Sequence, residues 1–341
     1  MELNFKNSYS PKEQNIAIFC LKQTSKKDGI YFYANDLIEG LSSKNKVTVF
    51  AQKIFIDSIE SDKNIEKISL PNIQIRVIKW LFYSIYLPFY LRKKGRYDEI
   101  IFSTEDLPIL NFLLLRPFLF NRTKVKVVVH DLAEYFISRY SASKDLFRRF
   151  FVKRYIKYCD EVITVSKKTK SDIVSLNFKK EDFISIFYNQ IKLENIISHN
   201  RIIKEPYVLY VSGFDFPSKN HIGLVNLYRR FNKEKFPYQL ILAGNSDSNS
   251  NNFDLIKEKI SEFKLENDIT VLRNISKEEL SSLYEHCEFT VFPSLYEGFG
   301  RPIIESIHYG KVVYSTDVGI FREVSEHPLV LPFEDLRNFK K

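Results

Sequence analysis

At 341 residues, with 44 % hydrophobic and 27 % charged side chains, the chain is too long for one ordinary core and too apolar for disorder, so two globular domains are expected. Its longest apolar runs, Trp80–Leu91 and Leu107–Phe120, are interrupted by Pro88 and by Arg116-Pro117, short of the roughly 18 residues that a spanning helix needs. The formal net charge of +9 suits a nucleic acid, a membrane or a plain lysine-rich surface; without an RNP, zinc-finger or basic-zipper pattern, nucleic acid is not expected as a partner.

Taken in chain order, Met1 to Gln14 is polar and does not read as a signal peptide. Short β-branched runs then alternate with longer helical patterns, the signature of parallel α/β architecture. Expected strands are Ile16–Leu21, Lys46–Ala51, Ile73–Ile78, Glu99–Thr104, Val125–His130 and Glu161–Ser166. Expected helices cover Tyr31–Leu41, Trp80–Lys94, Leu107–Phe120, Lys144–Tyr158 and Lys168–Leu176. After the polar stretch Lys192–Pro206 a fresh series begins, with strands at Tyr207–Gly213, Tyr238–Gly244, Ile269–Asn274, Phe289–Ser294 and Lys311–Thr316. Helices at His221–Asn232, Asn252–Lys264, Lys277–His286 and Pro302–Tyr309 separate them. The expected division is therefore residues 1–198 and 199–341, two doubly wound domains with a ligand cleft between their strand C-terminal edges.

The charge is unevenly spread. Between Arg76 and Lys157 seventeen lysines and arginines stand against seven acids, a surplus of ten that accounts for the whole net charge. Within it Phe147, Phe150, Phe151, Arg154 and Tyr158 fall at helical spacings, which predicts an amphipathic helix with a basic face. Two readings stand open: a solvated helix over an aromatic core, or a face for an anionic membrane surface or a lipid phosphate. Cys20, Cys159 and Cys287 are scattered and in no metal-ligand spacing, as suits buried thiols in a reducing cytoplasm.

The most informative stretch is Phe292–Thr316. A buried strand leads into a turn carrying Gly298 and Gly300, Pro302 sits where a first helical position favours proline, and Gly310 ends the helix. A helix N-terminus beside two glycines offers free N–H groups and a positive dipole end to a phosphate. Glu305 lies about one turn into that helix, where side chains lean back towards the N-terminus, and Glu297 stands on the other wall of the same pocket. Acidic residues near helix starts are also common caps, so spacing alone leaves a purely structural role open.

Pro293, Ser294, Glu297, Gly298, Phe299, Gly300, Pro302, Glu305 and Gly310 match the E-x7-E block of retaining family 4 glycosyltransferases, which the chain thus resembles. Leu209–His221 is similar to that family's strand–loop–helix ending in Lys-Asn, Val127–Leu132 to its N-domain His-Asp loop, Asp160–Ile173 to its Thr-Val-Ser segment, and Asp28–Leu41 to its glycine-bearing loop and helix. The resemblance implies the GT-B fold, two facing Rossmann-like domains with the site in the interdomain cleft. It implies a catalytic set of Glu297, Lys219 and His130, with Lys219 neutralising the leaving phosphate. Donor contacts would come from Gly213, Gly298, Phe299, Gly300 and Arg301, with Glu305 on the ribose hydroxyls and Asn274 and Ile275 at the base. Asp28, Gly29 and Asp131 would line the acceptor side.

Such enzymes transfer sugar with retention and without a metal, and no convincing Asp-x-Asp motif is present; no cofactor is expected beyond the nucleotide-diphosphate sugar as co-substrate. Two departures stand out. Phe214 occupies the position where the family often has an arginine beside the diphosphate, with Arg301 as an alternative cation. Family members also continue with helices crossing back to the first domain, so a C-terminal domain lacking them is expected. The expected partners are the sugar nucleotide, a glycan or polyprenyl-diphosphate-linked acceptor and an anionic membrane surface through residues 76–157, for a cytoplasmic or peripherally bound enzyme of surface polysaccharide assembly. A glycogen- or sucrose-type or phosphorylase-like relative with a soluble acceptor, and a non-catalytic sugar-nucleotide-binding protein, remain the alternatives.

Overall fold

The computed structural model describes residues 13–21, 29–60, 62–73, 78, 81–104, 113, 122–137, 142–191, 201–214, 216–233, 236–246 and 251–338. Contacts divide it into two units, Met1–Glu134 with Tyr140–Gln190, and Tyr135–Arg139 with Ile191–Lys341.

The first unit is a seven-stranded sheet of β1 (Asn15–Cys20), β2 (Lys46–Gln52), β3 (Ile65–Leu70), β4 (Glu99–Phe102), β5 (Lys124–Val129), β6 (Glu161–Thr164) and β7 (Ile184–Ile186), in the order β3-β2-β1-β4-β5-β6-β7 with every pair parallel. Central β1 is buried from Ile16 to Cys20, as an unbroken apolar run must be when helices cover both faces of a sheet. Phe19 stacks on Phe50 of β2 at 4.7 Å and on Phe102 of β4 at 5.1 Å, so three aromatic rings lock the register of the three central strands.

The second unit repeats the plan with six strands: β8 (Tyr207–Val211), β9 (Gln239–Gly244), β10 (Ile269–Arg273), β11 (Phe289–Phe292), β12 (Val313–Ser315) and β13 (Val330–Pro332), ordered β10-β9-β8-β11-β12-β13 and again all parallel. Tyr207, Leu209, Ile241, Ala243, Leu283, Tyr284 and Cys287 form its core cluster. The Tyr207 hydroxyl donates to Leu283 O at 2.9 Å, which satisfies a buried polar group that would otherwise cost about 1–3 kcal/mol. Helix Lys277–His286 starts on a complete capping box between Ser276 and Glu279, two orphan donors satisfied reciprocally. Both units are Rossmann-like, with the strand order reversing at β1/β4 and at β8/β11.

Two expectations are corrected, on the strand at Ile73–Ile78 and on the face of helix Ala142–Tyr158. Of the strand expected at Ile73–Ile78, the described ends are not strand, Ile73 being irregular and Ile78 helical; Gln74–Val77 lie outside the described residues, and the edge strand is β3, which is charged and only partly buried. The helix expected at Leu107–Phe120 lies outside the described residues except for Leu113. Helix Ala142–Tyr158 is present, but its aromatic stripe is not a core face. Phe147, Phe150 and Tyr158 are exposed, whereas Val152, Tyr155 and Ile156 face inward. The helix expected from Trp80 is described from Leu81, with a π turn at Phe82–Tyr86 before Leu87–Lys94. All three cysteines are buried and in no disulfide, and burial pushes the Cys20 and Cys287 thiols up to about 12.

Candidate active site

In the second unit the loops leaving β8 and β11 flank the point where strand order reverses, the position at which open α/β sheets bind ligands. The two loops are stitched together. Leu295 N donates to Ser218 O at 2.8 Å, and the side-chain amide of Asn220, a residue in the left-handed region at φ 58°, donates to Pro293 O at 3.0 Å. The buried Tyr210 hydroxyl donates to Lys219 O at 2.6 Å. Lys219 Nζ then meets Glu297 Oε1 at 2.5 Å, with the two side chains 19 % and 12 % exposed. Ser294 Oγ donates to the same oxygen at 3.0 Å. One carboxylate oxygen thus receives an ammonium and a hydroxyl, which fixes both charges.

Gly300 caps helix Arg301–His308 with φ 87°, a backbone that side chains other than glycine adopt at a cost. The Phe299 and Gly300 amides carry no hydrogen bond to a described residue, so donors remain at this helix start. One turn further in, Glu305 is 13 % exposed; Tyr284 Oη donates to its Oε2 at 2.9 Å and Arg301 Nε lies 3.5 Å from its Oε1. The loop after β12 braces this turn from outside. Thr316 Oγ1 donates to Ser294 O at 2.6 Å and Ile320 N to Phe299 O at 2.7 Å. Gly319, at φ 55°, permits the approach, since a Cβ there would lie 2.2 Å from Phe299 O.

Comparison with known proteins bears on this geometry. Residues 28–195 match the family Glycosyltransferase Family 4, and residues 192–328 match Glycosyl transferases group 1. The chain thus carries a family 4-like and a group 1 glycosyltransferase domain, with the GT-B fold. Among solved structures, Alr3699/HepE of Anabaena in complex with UDP-glucose superposes on it with a TM-score of 0.68 at 19 % identity, covering 96 % of this chain and 88 % of that one. The sucrose-phosphate synthase of Thermosynechococcus elongatus does so with a TM-score of 0.72 at 22 % identity, covering 95 % and 87 %. In sequence it is 27 % identical to the O-antigen chain mannosyltransferase RfbU of Salmonella typhimurium, over 75 % of this chain and 69 % of that protein. It is also 29 % identical to the N-acetylgalactosamine-N,N'-diacetylbacillosaminyl-diphospho-undecaprenol 4-alpha-N-acetylgalactosaminyltransferase of Campylobacter jejuni, over 50 % of this chain and 45 % of that protein.

The other residues singled out in the sequence lie after β8 and β10 in the second unit and after β5 and β1 in the first. Gly213 follows β8, and Phe214 N donates to Asn245 O at 2.9 Å. The Phe214 ring, in the arginine position, is fully buried against His221 and Phe253, so that position presents no cation. Asn274 ends β10 at φ 53°, and Ile275 packs on the core cluster. In the first unit His130 Nε2 lies 2.8 Å from Ser103 O; a carbonyl only accepts, so Nε2 carries the proton and Nδ1 is left as the acceptor. Asp131 caps the short helix Ala133–Phe136 through Ala133 N at 3.1 Å. Gly29 opens helix Gly29–Ser42 and is exposed, while Asp28 lies outside the described residues. Tyr284, Thr316 and Gly319 were not singled out in the sequence. A glycine two residues past the likewise unassigned turn polar pair Thr316-Asp317 was the only local signal for Gly319, and Tyr284 is an ordinary core tyrosine by pattern.

His221 also escaped notice. It is buried between the Tyr210 and Phe214 rings, each at 4.9 Å, and neither ring nitrogen has a partner among the described residues. Burial, with the Lys219 charge adding to it, lowers it from 6.5 to about 3, so the ring beside the site is neutral at neutral pH.

Proposed function

We propose that this glycosyltransferase moves a sugar, with retention of its anomeric configuration and without a metal, from a nucleotide-diphosphate sugar to a glycan or lipid-linked acceptor in surface polysaccharide biosynthesis. The observation that carries the reading is the Lys219–Glu297 pair at 2.5 Å, beside amides that have no partner among the described residues and a carboxylate held one turn into the same helix. A diphosphate entering there competes with Glu297 for Lys219. Its oxygens take the ammonium and the Phe299 and Gly300 amides, and Glu297 is released to the hydroxyls of the sugar ring. Glu305 accepts from the ribose hydroxyls, and the Asn274–Ile275 backbone meets the base.

As the bond from the anomeric carbon to the diphosphate breaks, charge grows on the departing oxygen, where Lys219 and the helix start already stand. Such preorganised donors are worth about 10²–10³ in rate each. The acceptor oxygen bonds to the anomeric carbon on the face the diphosphate leaves, and its proton departs with the diphosphate. In the first unit, His130 Nδ1 is an acceptor for a hydroxyl of the transferred sugar. Support for a polysaccharide or lipid-linked acceptor comes from relatives named for an O-antigen chain and for a diphospho-undecaprenol substrate. An acceptor of that kind is met at the inner face of the cell membrane; no described helix is long and apolar enough to cross it.

The test is a thermal-shift panel of UDP, GDP, dTDP, ADP and CMP on the wild type and on Glu305→Ala. A nucleotide at 100 times its dissociation constant adds about 2.7 kcal/mol. One nucleotide shifting the wild type and failing on the variant supports the donor site and names the base. Silence from all five sinks it. With the matching donor sugar, turnover in EDTA and NMR of the product anomer then examine metal independence and retention.

A further inference from the structure

Helix Ala142–Tyr158 presents Leu146, Phe147, Phe150 and Tyr158 to solvent at 48–70 % exposure. Lys153 and Lys157 are exposed between them, and the Arg154 guanidinium lies 3.3 Å from the centre of the Phe150 ring. Positions 146, 147, 150, 153, 154, 157 and 158 recur at helical spacing on one side, while Asp145, Val152, Tyr155 and Ile156 are buried on the other. The outward stripe is therefore apolar in its first half and cationic in its second, with no acid on it.

A second helical segment repeats the pattern. Leu81, Ile85 and Phe89 are 43–54 % exposed, and exposed Arg92 and Lys93 follow them on the same stripe. The strand order reverses after β3. With right-handed crossovers, the connections β3–β4 and β5–β6 then lie on the same face of the sheet. Both helices run against the parallel strands. Both apolar halves therefore lie towards the strand C-terminal edge, the edge that bears His130, and both cationic ends lie away from it.

We infer that these two stripes form a docking surface for an anionic lipid bilayer. The aromatic and aliphatic side chains enter the interfacial layer, and Arg92, Lys93, Lys153, Arg154 and Lys157 meet the anionic headgroups. Apolar side chains flanked by cations, with no acid between them, fit that chemistry. The inference extends the reading of a lipid-linked acceptor, and its test needs no turnover.

The full chain is sedimented with vesicles of phosphatidylcholine alone and of phosphatidylcholine mixed with phosphatidylglycerol, at low and high salt. Binding to the mixed vesicles that weakens with salt is expected. Lys153→Glu with Lys157→Glu, and separately Phe147→Ser with Phe150→Ser, should each weaken it roughly tenfold; Ile85→Ser with Phe89→Ser should do the same. All six positions are exposed, and an unchanged melting temperature and nucleotide shift show that each variant folds. Binding that ignores both the charge and the aromatic pairs overturns the proposal, as does sedimentation with neither vesicle. A chain that is dimeric by light scattering, and monomeric once Phe147 and Phe150 are serine, makes the face a contact between copies and overturns it too. Loss of vesicle binding with the nucleotide shift intact removes the docking surface and leaves the donor site standing; a silent nucleotide panel with intact vesicle binding does the reverse.

Discussion

Glu297 holds Lys219 before any ligand arrives, so its removal should act on binding and catalysis in opposite directions. Glu297→Gln frees the ammonium for a diphosphate and should tighten nucleoside diphosphate binding by about 1 kcal/mol, or roughly fivefold. Turnover should fall roughly 10²-fold once the carboxylate is lost from the sugar. Calorimetry and initial rates on the same variant read both effects, and weaker binding would count against the competition for Lys219. Tyr284 is the counterpart for Glu305. Burial and the adjacent carboxylate raise its hydroxyl well above the usual tyrosine range, so it stays a donor. Tyr284→Phe should weaken a ribonucleoside diphosphate and leave its 2′,3′-dideoxy analogue unchanged. Tyr309→Phe, in the ring stacked on Tyr284 at 5.2 Å, should change neither. Both glutamates were legible in the sequence because glycine, proline and acid recur at fixed spacing around a turn. Tyr284 was not, because its partner lies 21 residues away and nothing local distinguishes it from a tyrosine that only fills space.

Among the elements, the strands buried on both faces were read almost to the residue, since an unbroken β-branched run between turn signals has few other fates. Edge strand β3 was missed because half its side chains are polar or charged, and the apolar Ile73–Ile78 nearby looked the better strand. Helical period was equally plain in Lys144–Tyr158, but period does not say which stripe faces the sheet. Val152, Tyr155 and Ile156 won that place over Phe147, Phe150 and Tyr158. At this scale the brace after β12 makes a prediction. Gly319→Ala must place a Cβ against Phe299 O at a positive φ, which should cost about 1–3 kcal/mol and displace the turn at Gly300. A lower urea midpoint with weaker nucleotide binding is expected, and an unchanged midpoint would show the loop free to move aside. Helix His221–Lys233 makes another. The unfolded chain takes up a proton on His221 near pH 6.5, whereas the folded chain does so only near 3. Stability from this ring is therefore complete above about 6.5 and lost on acidification towards 3, at roughly 1.4 kcal/mol per pH unit. His221→Phe keeps a ring in the stack and should shrink the gap between the melting temperatures at pH 7.5 and pH 5; an equal gap would remove His221 as the cause.

For the whole molecule, charge and topology combine in a way that neither shows alone. The surplus of positive charge lies in the first unit, and the strand order places two of its helices on one face of the sheet with their apolar halves towards the edge of His130. On the proposed reading, the edge that meets the acceptor is also the edge nearest the lipid. A hydroxyl tethered to the bilayer then has a fixed height at which it can be served, and the protein works as a ruler. On vesicle-borne acceptors, transfer should fall as sugars are added between the lipid and the accepting hydroxyl. The same acceptors in detergent micelles, where the chain can approach from any side, should lose that dependence on length.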